Sequence, residues 1–474
     1  ERLNYAIDEI TLVRKGRLSI ARGTAIPQIM TTLKATSLFG DRTGYVQSKS
    51  ETELVVGSEF KDTNVLVQEG GKLSLPSDTV LEQVTVILKG HLHGIDILTA
   101  TTGAVIELYP ENEIVAFAGI IANSTAKIKI LANNQKNIKL IARDFIRFTQ
   151  SSSIEFTGKV VLESRDVQID QSVVFDGNYG GFPPGQVPVN CSASQRYVGG
   201  ANGGETHATA GRPCGSYEHP VNPGSGGDTH SYGGTGGAAL KIKADNLRLD
   251  GLIRVNGKAG VGSCGCTPGA GGAGGSIWFD VSETFSGYGT VNANGGSAYS
   301  CNCGSVATSG SGGRIAVHSS NNTFNGTMTA FSGGFGGQRS YGSQHISAAG
   351  TIYKSTNGFT QLIVDNNGLD STFFTLVNDP ERLNYVVDEI TLVRKARLSV
   401  ERGTPLPGNE NAAMFKMNFV GDKTGYFEVR PGVEVEVESG YEGLNFVIQE
   451  GGTLALPRNA FFEQTTLILK GRLR

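Results

Sequence analysis

The sequence predicts an all-β protein organised as a parallel β-helix, or solenoid, within a tandem repeat. Three observations support this fold class: short runs of Val, Ile and Leu recur at regular intervals, the start of the chain is repeated near its end, and 66 of the 474 residues are glycine. That glycine content is about twice the usual share of roughly 7%. No segment of useful length has the hydrophobic period of about 3.6 residues that indicates an amphipathic helix.

Composition and charge exclude several classes of protein. Collagen needs glycine at every third position, and the sequence has no such period. The recurring apolar runs are not typical of disordered chains. No apolar stretch approaches the roughly 20 residues of a transmembrane helix. The 41 Lys and Arg residues nearly balance the 44 Asp and Glu residues, and the net charge of −3 makes a nucleic-acid partner unexpected.

The first residues of the chain recur near its end. Residues 1–24 read ERLNYAIDEITLVRKGRLSIARGT, and residues 381–404 read ERLNYVVDEITLVRKARLSVERGT. Further matches follow at an offset of 380 or 381 residues: GDRTGY with GDKTGY, QEGGKLSLP with QEGGTLALP, and EQVTVILKGHLH with EQTTLILKGRLR. We therefore expect one unit of about 380 residues and the first quarter of the next, as part of a longer tandem array.

The two copies differ at a pair of histidines. His91 and His93 are replaced by Arg472 and Arg474 in the second copy. Arginine does not take the place of histidine as a metal ligand. We therefore interpret both versions as a solvated basic face.

Composition divides the chain into five segments. These are the repeat start with short β segments (1–50), Val/Ile-rich β-helix coils (51–176), glycine-rich coils with long loops (177–350), closing strands (351–380) and the start of the next repeat (381–474).

Short apolar strands dominate the second segment. The predicted strands are Val65–Val67, Leu73–Leu75, Val84–Leu88, Val105–Leu108, Ile128–Leu131, Ile138–Ile141, Phe145–Phe148, Ile154–Phe156, Val160–Leu162, Val167–Ile169 and Val173–Phe175. Regular short strands are also typical of a sandwich or barrel. Three strands in each 20–25 residues, without hairpin turns between them, favour stacked coils at the strand spacing of about 4.8 Å.

Residues 177–350 hold 42 of the 66 glycines and have a shorter period. Similar strand-turn-strand patterns begin at Gly236, Gly274 and Gly312, at intervals of 38 residues. Each pattern is followed by a long glycine-rich excursion. Stacked coils would align these excursions along one side of the solenoid, where close backbones leave no room for Cβ atoms.

The glycine-rich part resembles a known group of proteins. The run GGAGGSIWFDVSETFSGYGTVNANGGSA, followed by GSGGRIAVHSSNNTFNGTMTAFSGG and GTIYKSTNGFTQLIVDNNG, is similar to giant secreted tandem-repeat β-helix proteins, which are adhesin-like surface proteins. The resemblance is strongest over 236–368 and weaker over 51–176. It implies a β-helix fold and an extracellular or cell-surface location. Its motifs are structural rather than catalytic.

All six cysteines lie in the glycine-rich segment. They are Cys191, Cys214, Cys264, Cys266, Cys301 and Cys303. The two CxC pairs are 37 residues apart, so stacking would bring them together as disulfides between loops or as four thiolate ligands of a tetrahedral zinc. An extracellular chain and the absence of CxxC spacing favour disulfides, with Cys191 and Cys214 as the third pair. No metal is therefore expected.

Four sequons are candidate glycosylation sites in a secreted eukaryotic protein. They are at Asn123, Asn190, Asn321 and Asn325. About that number is expected by chance in a chain so rich in Asn, Ser and Thr.

Aromatic residues are scattered among the glycines. They are Tyr179, Phe182, Tyr197, Tyr217, Tyr232, Tyr299, Phe331, Phe335 and Tyr341. Exposed rings could stack on sugars, but we favour rings that fold back over the loops as small satellite cores. Trp278 is expected to pack on the face opposite to Ile277 and Phe279.

Catalytic motifs are not found. The sequence contains no GxSxG, HExxH, phosphate-binding loop or GGxGxD calcium repeat, and its acidic residues are dispersed. The cluster of Glu205, His207, His219, Asp228 and His230 matches no compact metal-ligand spacing. We expect a protein that is not an enzyme and that needs no cofactor.

Two functions follow from these features. The first is a structural extracellular repeat protein that forms a rod or filament, lengthened by covalent tandem repeats or by head-to-tail self-association, with an adhesive role on the cell surface or in the matrix. At about 4.8 Å per coil, one unit would advance about 50–90 Å. The alternative is a carbohydrate-binding or polysaccharide-active β-helix, with glycan ligands held by the loops of 177–235.

Overall fold

A computed structural model describes most of the chain. The described residues are 4–21, 31–109, 114–132, 134, 137–189, 191, 197–207, 211–213, 215–227, 232–262, 268–299, 306–336, 345–377, 384–401, 413–439, 441, 443–460, 462 and 465–474. These residues form strands, turns and irregular segments, with no α-helix among them. The prediction of an all-β protein is confirmed.

The strands up to the glycine-rich segment are short and closely spaced. They are β1 Asn4–Leu12, β2 Arg17–Ile20, β3 Thr31–Gly40, β4 Tyr45–Ser48, β5 Thr52–Lys61, β6 Asn64–Val67, β7 Lys72–Ser74, β8 Val80–Leu81, β9 Thr85–Leu88, β10 His91–His93, β11 Ile97–Ala100, β12 Val105–Leu108, β13 Ile114–Ala122, β14 Lys127–Leu131, β15 Asn137–Phe148, β16 Ser153–Thr157, β17 Lys159–Ile169 and β18 Val174–Asp176.

The remaining strands extend to the end of the chain. They are β19 Ala239–Leu249, β20 Leu252–Arg254, β21 Ser276–Gly287, β22 Thr290–Asn292, β23 Ala298–Tyr299, β24 Arg314–Phe324, β25 Thr327–Thr329, β26 Phe335–Gly336, β27 Thr351–Thr356, β28 Phe359–Asp365, β29 Thr375–Val377, β30 Asn384–Val393, β31 Arg397–Val400, β32 Ala413–Gly421, β33 Tyr426–Val429, β34 Val433–Ser439, β35 Asn445–Ile448, β36 Thr453–Ala455, β37 Leu467–Leu469 and β38 Arg472–Leu473.

Four long sheets contain nearly all of these strands. Their orders are β1-β3-β5-β7-β10; β38-β36-β34-β32-β30-β28-β27-β24-β21-β19-β17-β15-β13-β11-β8; β2-β4-β6-β9-β12-β14-β16-β18-β20-β22-β25; and β29-β31-β33-β35-β37. Neighbouring strands in these sheets are parallel, with the single exception of β27 and β28 among the described residues. The chain thus returns to each sheet once per circuit, an arrangement compatible with the predicted parallel β-helix.

Stacked apolar side chains hold successive circuits together. In β6, β9 and β12 the register aligns Val65 with Val86 and Val86 with Ile106, and each of these three side chains is about 1% exposed. Residues alternate between buried and half-buried along each strand, as the two-residue period requires. Full burial of one such side chain stabilises the fold by about 1.5–3 kcal/mol.

The circuits lengthen in the glycine-rich part. Lys159 in β17 pairs with Ala239 in β19, so one circuit contains the whole excursion between these strands. Ala239 then pairs with Ser276, Ser276 with Arg314, and Arg314 with Thr351, at steps of 37 or 38 residues. The 38-residue sequence period therefore corresponds to one circuit.

The described parts of the excursions form a buried second layer beside the strands. Gly200 N donates to Gly271 O at 2.9 Å, and Gly203 N donates to Gly312 O at 2.9 Å. A Cβ atom on Gly350 would lie 1.7 Å from the carbonyl oxygen of Gly313. Glycine lets the backbones of these described residues pack directly against one another, as expected from the sequence for closely stacked coils.

Candidate functional site: the junction between repeats

An antiparallel strand pair joins the first unit to the start of the next. In this β27–β28 hairpin, Ile352 pairs with Ile363 and Tyr353 pairs with Leu362. Ile352 belongs to the hydrophobic core of the first unit, against which Ile363 also packs. Tyr353 and Leu362 belong to a second core, which contains the apolar residues of β30 to β36. One sheet therefore runs through the junction and carries a different core on each face.

The hairpin reverses the strand direction. β28 pairs in parallel with β30, where Leu362 aligns with Ile390 and Val364 aligns with Leu392. All four of these side chains are buried in the second core. The repeated sequence that starts at 381 thus builds its core on the opposite face of the sheet from the first unit.

Ion pairs connect the first excursion to the next repeat. Arg430 donates through Nη2 to Glu205 Oε1 at 3.1 Å, through Nη1 to Glu401 Oε1 at 2.5 Å and through Nε to Glu428 Oε2 at 2.9 Å. Arg212 also forms an ion pair with Glu401. We name these five residues the junction cluster. It joins positions more than 200 residues apart in the sequence.

Burial makes the junction cluster energetically important. Glu205 and Glu428 are each 5% exposed. Burial raises the pKa of the Glu205 carboxyl above its ordinary value, and the attraction of Arg430 opposes that rise. Burial alone would lower the pKa of Arg430, but the surrounding glutamates raise it above its ordinary value. Because the interior screens charge weakly, the buried carboxylates of Glu205 and Glu428 depend on the Arg430 guanidinium.

The first copy of the repeat lacks the junction cluster. Ala21, Gln47 and Lys49 stand at the positions that correspond to Glu401, Glu428 and Arg430. The charged residues therefore differ between copies in which the apolar strand pattern is retained. The cluster was not predicted from the sequence, although the charged residues that differ between the two copies at these positions could have indicated it.

Aromatic and histidine rings cover the outer face of the sheet beside the junction. The ring of Tyr217 lies edge-on to that of Tyr353 at 5.5 Å between centroids, and His219 stacks on His318 at 5.1 Å. His318 Nε2 hydrogen-bonds the Glu218 carbonyl at 2.7 Å. These contacts hold the excursion residues 215–222 against β24 and β27. We name Tyr217, His219, His318 and Tyr353 the ring cluster.

Trp278 lies at the edge of the ring cluster, beside the two histidine rings. Its neighbours Ile277 and Phe279 are buried in the first core, whereas Trp278 packs against the second core. Lys241 Nζ lies 3.3 Å from the centroid of its ring. Trp278 therefore packs on the opposite face from Ile277 and Phe279, as the strand alternation predicts.

A charged turn is repeated in both copies. Asp41 accepts hydrogen bonds from Arg14 N at 2.7 Å and Thr43 N at 3.0 Å. Asp422 accepts the corresponding bonds from Arg394 N at 2.6 Å and Thr424 N at 3.0 Å. Each aspartate thus fastens its turn to the backbone of the preceding circuit.

Hydrogen bonds lower the pKa of both aspartates. The Thr43 hydroxyl, followed by the backbone amides of Arg14 and Thr43, lowers the pKa of Asp41 to about 2. Burial alone would raise the pKa of Asp422, but the bonds from Thr424 and Arg394 outweigh it and lower the pKa.

Acidification is expected to weaken these turns. The pKa of Asp41 is lower in the folded than in the unfolded state, so its contribution is complete above the unfolded value of about 3.9 and is lost as the pH falls towards about 2. Carboxyl carbon NMR of Asp41 between pH 6 and pH 1.5 measures this titration. A midpoint at or above 3.8 would contradict the prediction, and Asp41→Asn serves as the control without a titrating group.

The structure places one of the six cysteines. Cys191 is half-buried and disulfide-bonded. Cys214, Cys264, Cys266, Cys301 and Cys303 lie outside the described residues. The three predicted pairings therefore stay predictions.

The candidate glycosylation sites have different environments. Asn321 and Asn325 are exposed, and Asn123 is half-buried in the turn after β13. Asn190 lies outside the described residues. Modification of these asparagines stays a prediction.

Two of the histidine and acid residues of the excursion lie in different clusters of contacts. Glu205 lies in the junction cluster, and His219 lies in the ring cluster. Asp228 and His230 are outside the described residues. The part of the chain that the structure describes contains no group of three metal-ligand side chains.

The aromatic residues of the excursions divide between buried and exposed positions. Tyr197 and Phe335 pack on a small cluster of alanines, and Tyr217 is 2% exposed. Tyr179 and Tyr232 are exposed. Tyr341 lies outside the described residues. Satellite packing thus accounts for part of the set.

A polar groove lies at a corner of the strand stack. It has a volume of about 830 Å³ and is lined by Gln150, Gln168, Asp170, Gln171, Ser172, Arg248, Asp250 and Tyr288. The Tyr288 ring is 75% exposed. An exposed aromatic ring beside amide and carboxylate groups is a composition that suits a sugar ring.

Comparisons with known proteins found no match among family models, curated proteins or solved structures. Within the described ranges, no helix has the length and apolar character needed to cross a membrane.

Proposed function

We propose that this chain is a segment of a structural, extracellular rod built from tandem parallel β-helix units. The observation that carries the proposal is the junction, where the fifteen-stranded sheet runs from the first unit into the next copy through β27 and β28. A sheet that is hydrogen-bonded through the junction can transmit force along its stack. Separate domains on a flexible linker would not do so.

The geometry gives the rod an expected repeat. The parallel bridge between Lys61 and Glu82 continues the stack β1-β3-β5 into the fifteen-stranded sheet at β8, so β1 and its copy β30 are thirteen strand spacings apart. At about 4.8 Å for each spacing, one unit advances about 62 Å. This value lies within the 50–90 Å expected from the sequence.

The excursion acts as a brace across the junction. It leaves the strand stack after β18 and returns at β19, and on the way it contributes Glu205 and Arg212 to the junction cluster. Its residues 215–222 also cover the sheet at β24 and β27. We propose that these contacts prevent bending between successive units, which is what a rod requires.

An extracellular location is supported by the six cysteines and by the disulfide bond of Cys191. We propose that the paired CxC motifs form disulfides between neighbouring excursions. Mass spectrometry of non-reduced peptides tests this proposal. Disulfide-linked peptides are the expected result, and free thiols at Cys264, Cys266, Cys301 and Cys303 would contradict it.

Negative-stain microscopy of the native protein, with immunogold labelling of intact cells, tests the function itself. Gold particles along thin surface filaments, with successive units spaced about 62 Å apart, would support it. Labelling confined to the cell interior, or isolated globular particles, would overturn it.

A glycan-binding function is the second candidate, and the groove at Tyr288 favours it. The prediction from the sequence was that the loops of 177–235 hold glycan ligands, but long parts of that range are buried. We therefore place recognition at the exposed ring of Tyr288.

Tyr288→Ala is expected to abolish binding to any glycan that the intact chain retains on an array, because it removes the stacking surface. Tyr179→Phe is the control, since it keeps an exposed ring elsewhere. Equal binding by the Tyr288→Ala variant, or no retained glycan at all, would contradict this assignment.

A further inference from the structure

Arg314 is buried at the start of β24. Its side chain is 1% exposed, and it ranks first by volume among the fully buried side chains of the described residues. It alternates with Ile315, which points into the first core, so Arg314 faces the excursion that covers the sheet. Burial of a cation in such a position normally requires a partner.

None of the three guanidinium nitrogens of Arg314 has a hydrogen-bond partner among the described residues. Burial lowers the pKa of Arg314 to about 10, and the Tyr217 phenol opposes this shift. The side chain therefore still carries its charge at neutral pH. An unpaired buried charge is strongly destabilising, so the Arg314 guanidinium requires a counter-charge.

Polar groups that can donate hydrogen bonds lie on the strands beside Arg314. Thr351, its neighbour in β27, has a buried hydroxyl, which can donate as well as accept and has no partner among the described residues. Ser276, its neighbour in β21, already donates to Asn222 O at 2.6 Å. The indole nitrogen of Trp278, two residues further along β21, is also buried and has no hydrogen-bond partner in the described part of the chain. Unsatisfied donors around a positive charge select a negatively charged acceptor.

We propose that Arg314 and Thr351 bind a small inorganic anion of the halide class beneath the excursion. A monovalent ion matches the single unpaired positive charge. A small ion suits this position, because Arg314 is 1% exposed and Tyr217 is 2% exposed. The bound ion would neutralise the guanidinium and hold the excursion against the sheet beside the junction.

Bromide titration tests the proposal, because Trp278 is the single tryptophan of the chain and lies on the strand next to Arg314. Ionic strength is held constant with sodium gluconate. We expect saturable quenching of the Trp278 fluorescence and a Tm that rises with chloride concentration. Arg314→Met is expected to show only linear collisional quenching and no dependence of Tm on chloride. Arg165→Met, which removes an exposed arginine of β17, is expected to behave like the unmodified chain.

Linear quenching of equal slope in the unmodified chain and in Arg314→Met would overturn the proposal. If Arg314→Met does not fold, bromide-soaked crystals of the unmodified protein provide the second measurement. An anomalous peak within hydrogen-bond distance of the Arg314 guanidinium is then expected, and its absence would overturn the site.

Discussion

Gly350→Ala is expected to destabilise the folded chain by about 3 kcal/mol, because the added methyl group would overlap with the backbone of the neighbouring circuit. A Cβ atom at this position would lie 1.7 Å from Gly313 O, and the contact is with backbone rather than with a flexible side chain. The two strands that flank it, β24 and β27, would have to separate. Urea unfolding followed by circular dichroism measures the loss.

Gly334→Ala is the matched control for this prediction. Gly334 lies in the same glycine-rich part, but the nearest atom to its Cβ position is Leu369 Cδ2 at 4.0 Å. Its substitution is therefore expected to change the free energy of unfolding by less than about 0.5 kcal/mol. Equal stability losses in the two variants would show that the glycine layer is not closely packed.

Arg430→Met is expected to cost about 3–5 kcal/mol, since it leaves Glu205 and Glu428 buried without their guanidinium. Arg212 can compensate only Glu401, with which it already forms an ion pair. The loss is expected at the junction, so hydrogen exchange should quicken in β31 and β33 before it does in β12 and β14. Mass spectrometry of deuterium uptake measures the difference.

The first copy of the repeat supplies the control for the junction cluster. Lys49 corresponds to Arg430 and is exposed. Lys49→Met is therefore expected to alter stability by no more than about 0.5 kcal/mol. If Arg430→Met were equally mild, the excursion would not brace the junction, and the proposed rigidity would lose its main support.

The strand pattern was predictable because it depends on local alternation. The runs at Val65–Val67 and Val105–Leu108 lie within β6 and β12. The predicted strands Ile138–Ile141 and Phe145–Phe148 are instead two halves of β15, which bends at a register shift between Ala142 and Phe145. At a bulge the strand bends but stays paired with its neighbours on either side. A break in the pattern of apolar residues does not distinguish such a bulge from a loop between two strands.

The glycine layer and the candidate site were not predictable in the same way. Glycine has no side chain, so its contacts leave no hydrophobic period in the sequence. The glycines at 199–204 are as typical of an exposed loop as of a packed layer. The junction cluster pairs Glu205 with Arg430, and the Arg314 environment combines three strands with a distant excursion. Such contacts depend on which distant segments the fold brings together. The residues adjacent in the sequence do not indicate them.

Cryo-electron microscopy of the 474-residue protein tests most directly whether one sheet runs through the junction. Eighteen stacked layers from β1 to β38, at about 4.8 Å each, predict a particle about 80–90 Å long. We expect unbroken strand density from β24 through Ile352 and Ile363 to β30, with a core on either face. Two lobes in variable orientation, separated by a break at 356–359, would contradict it.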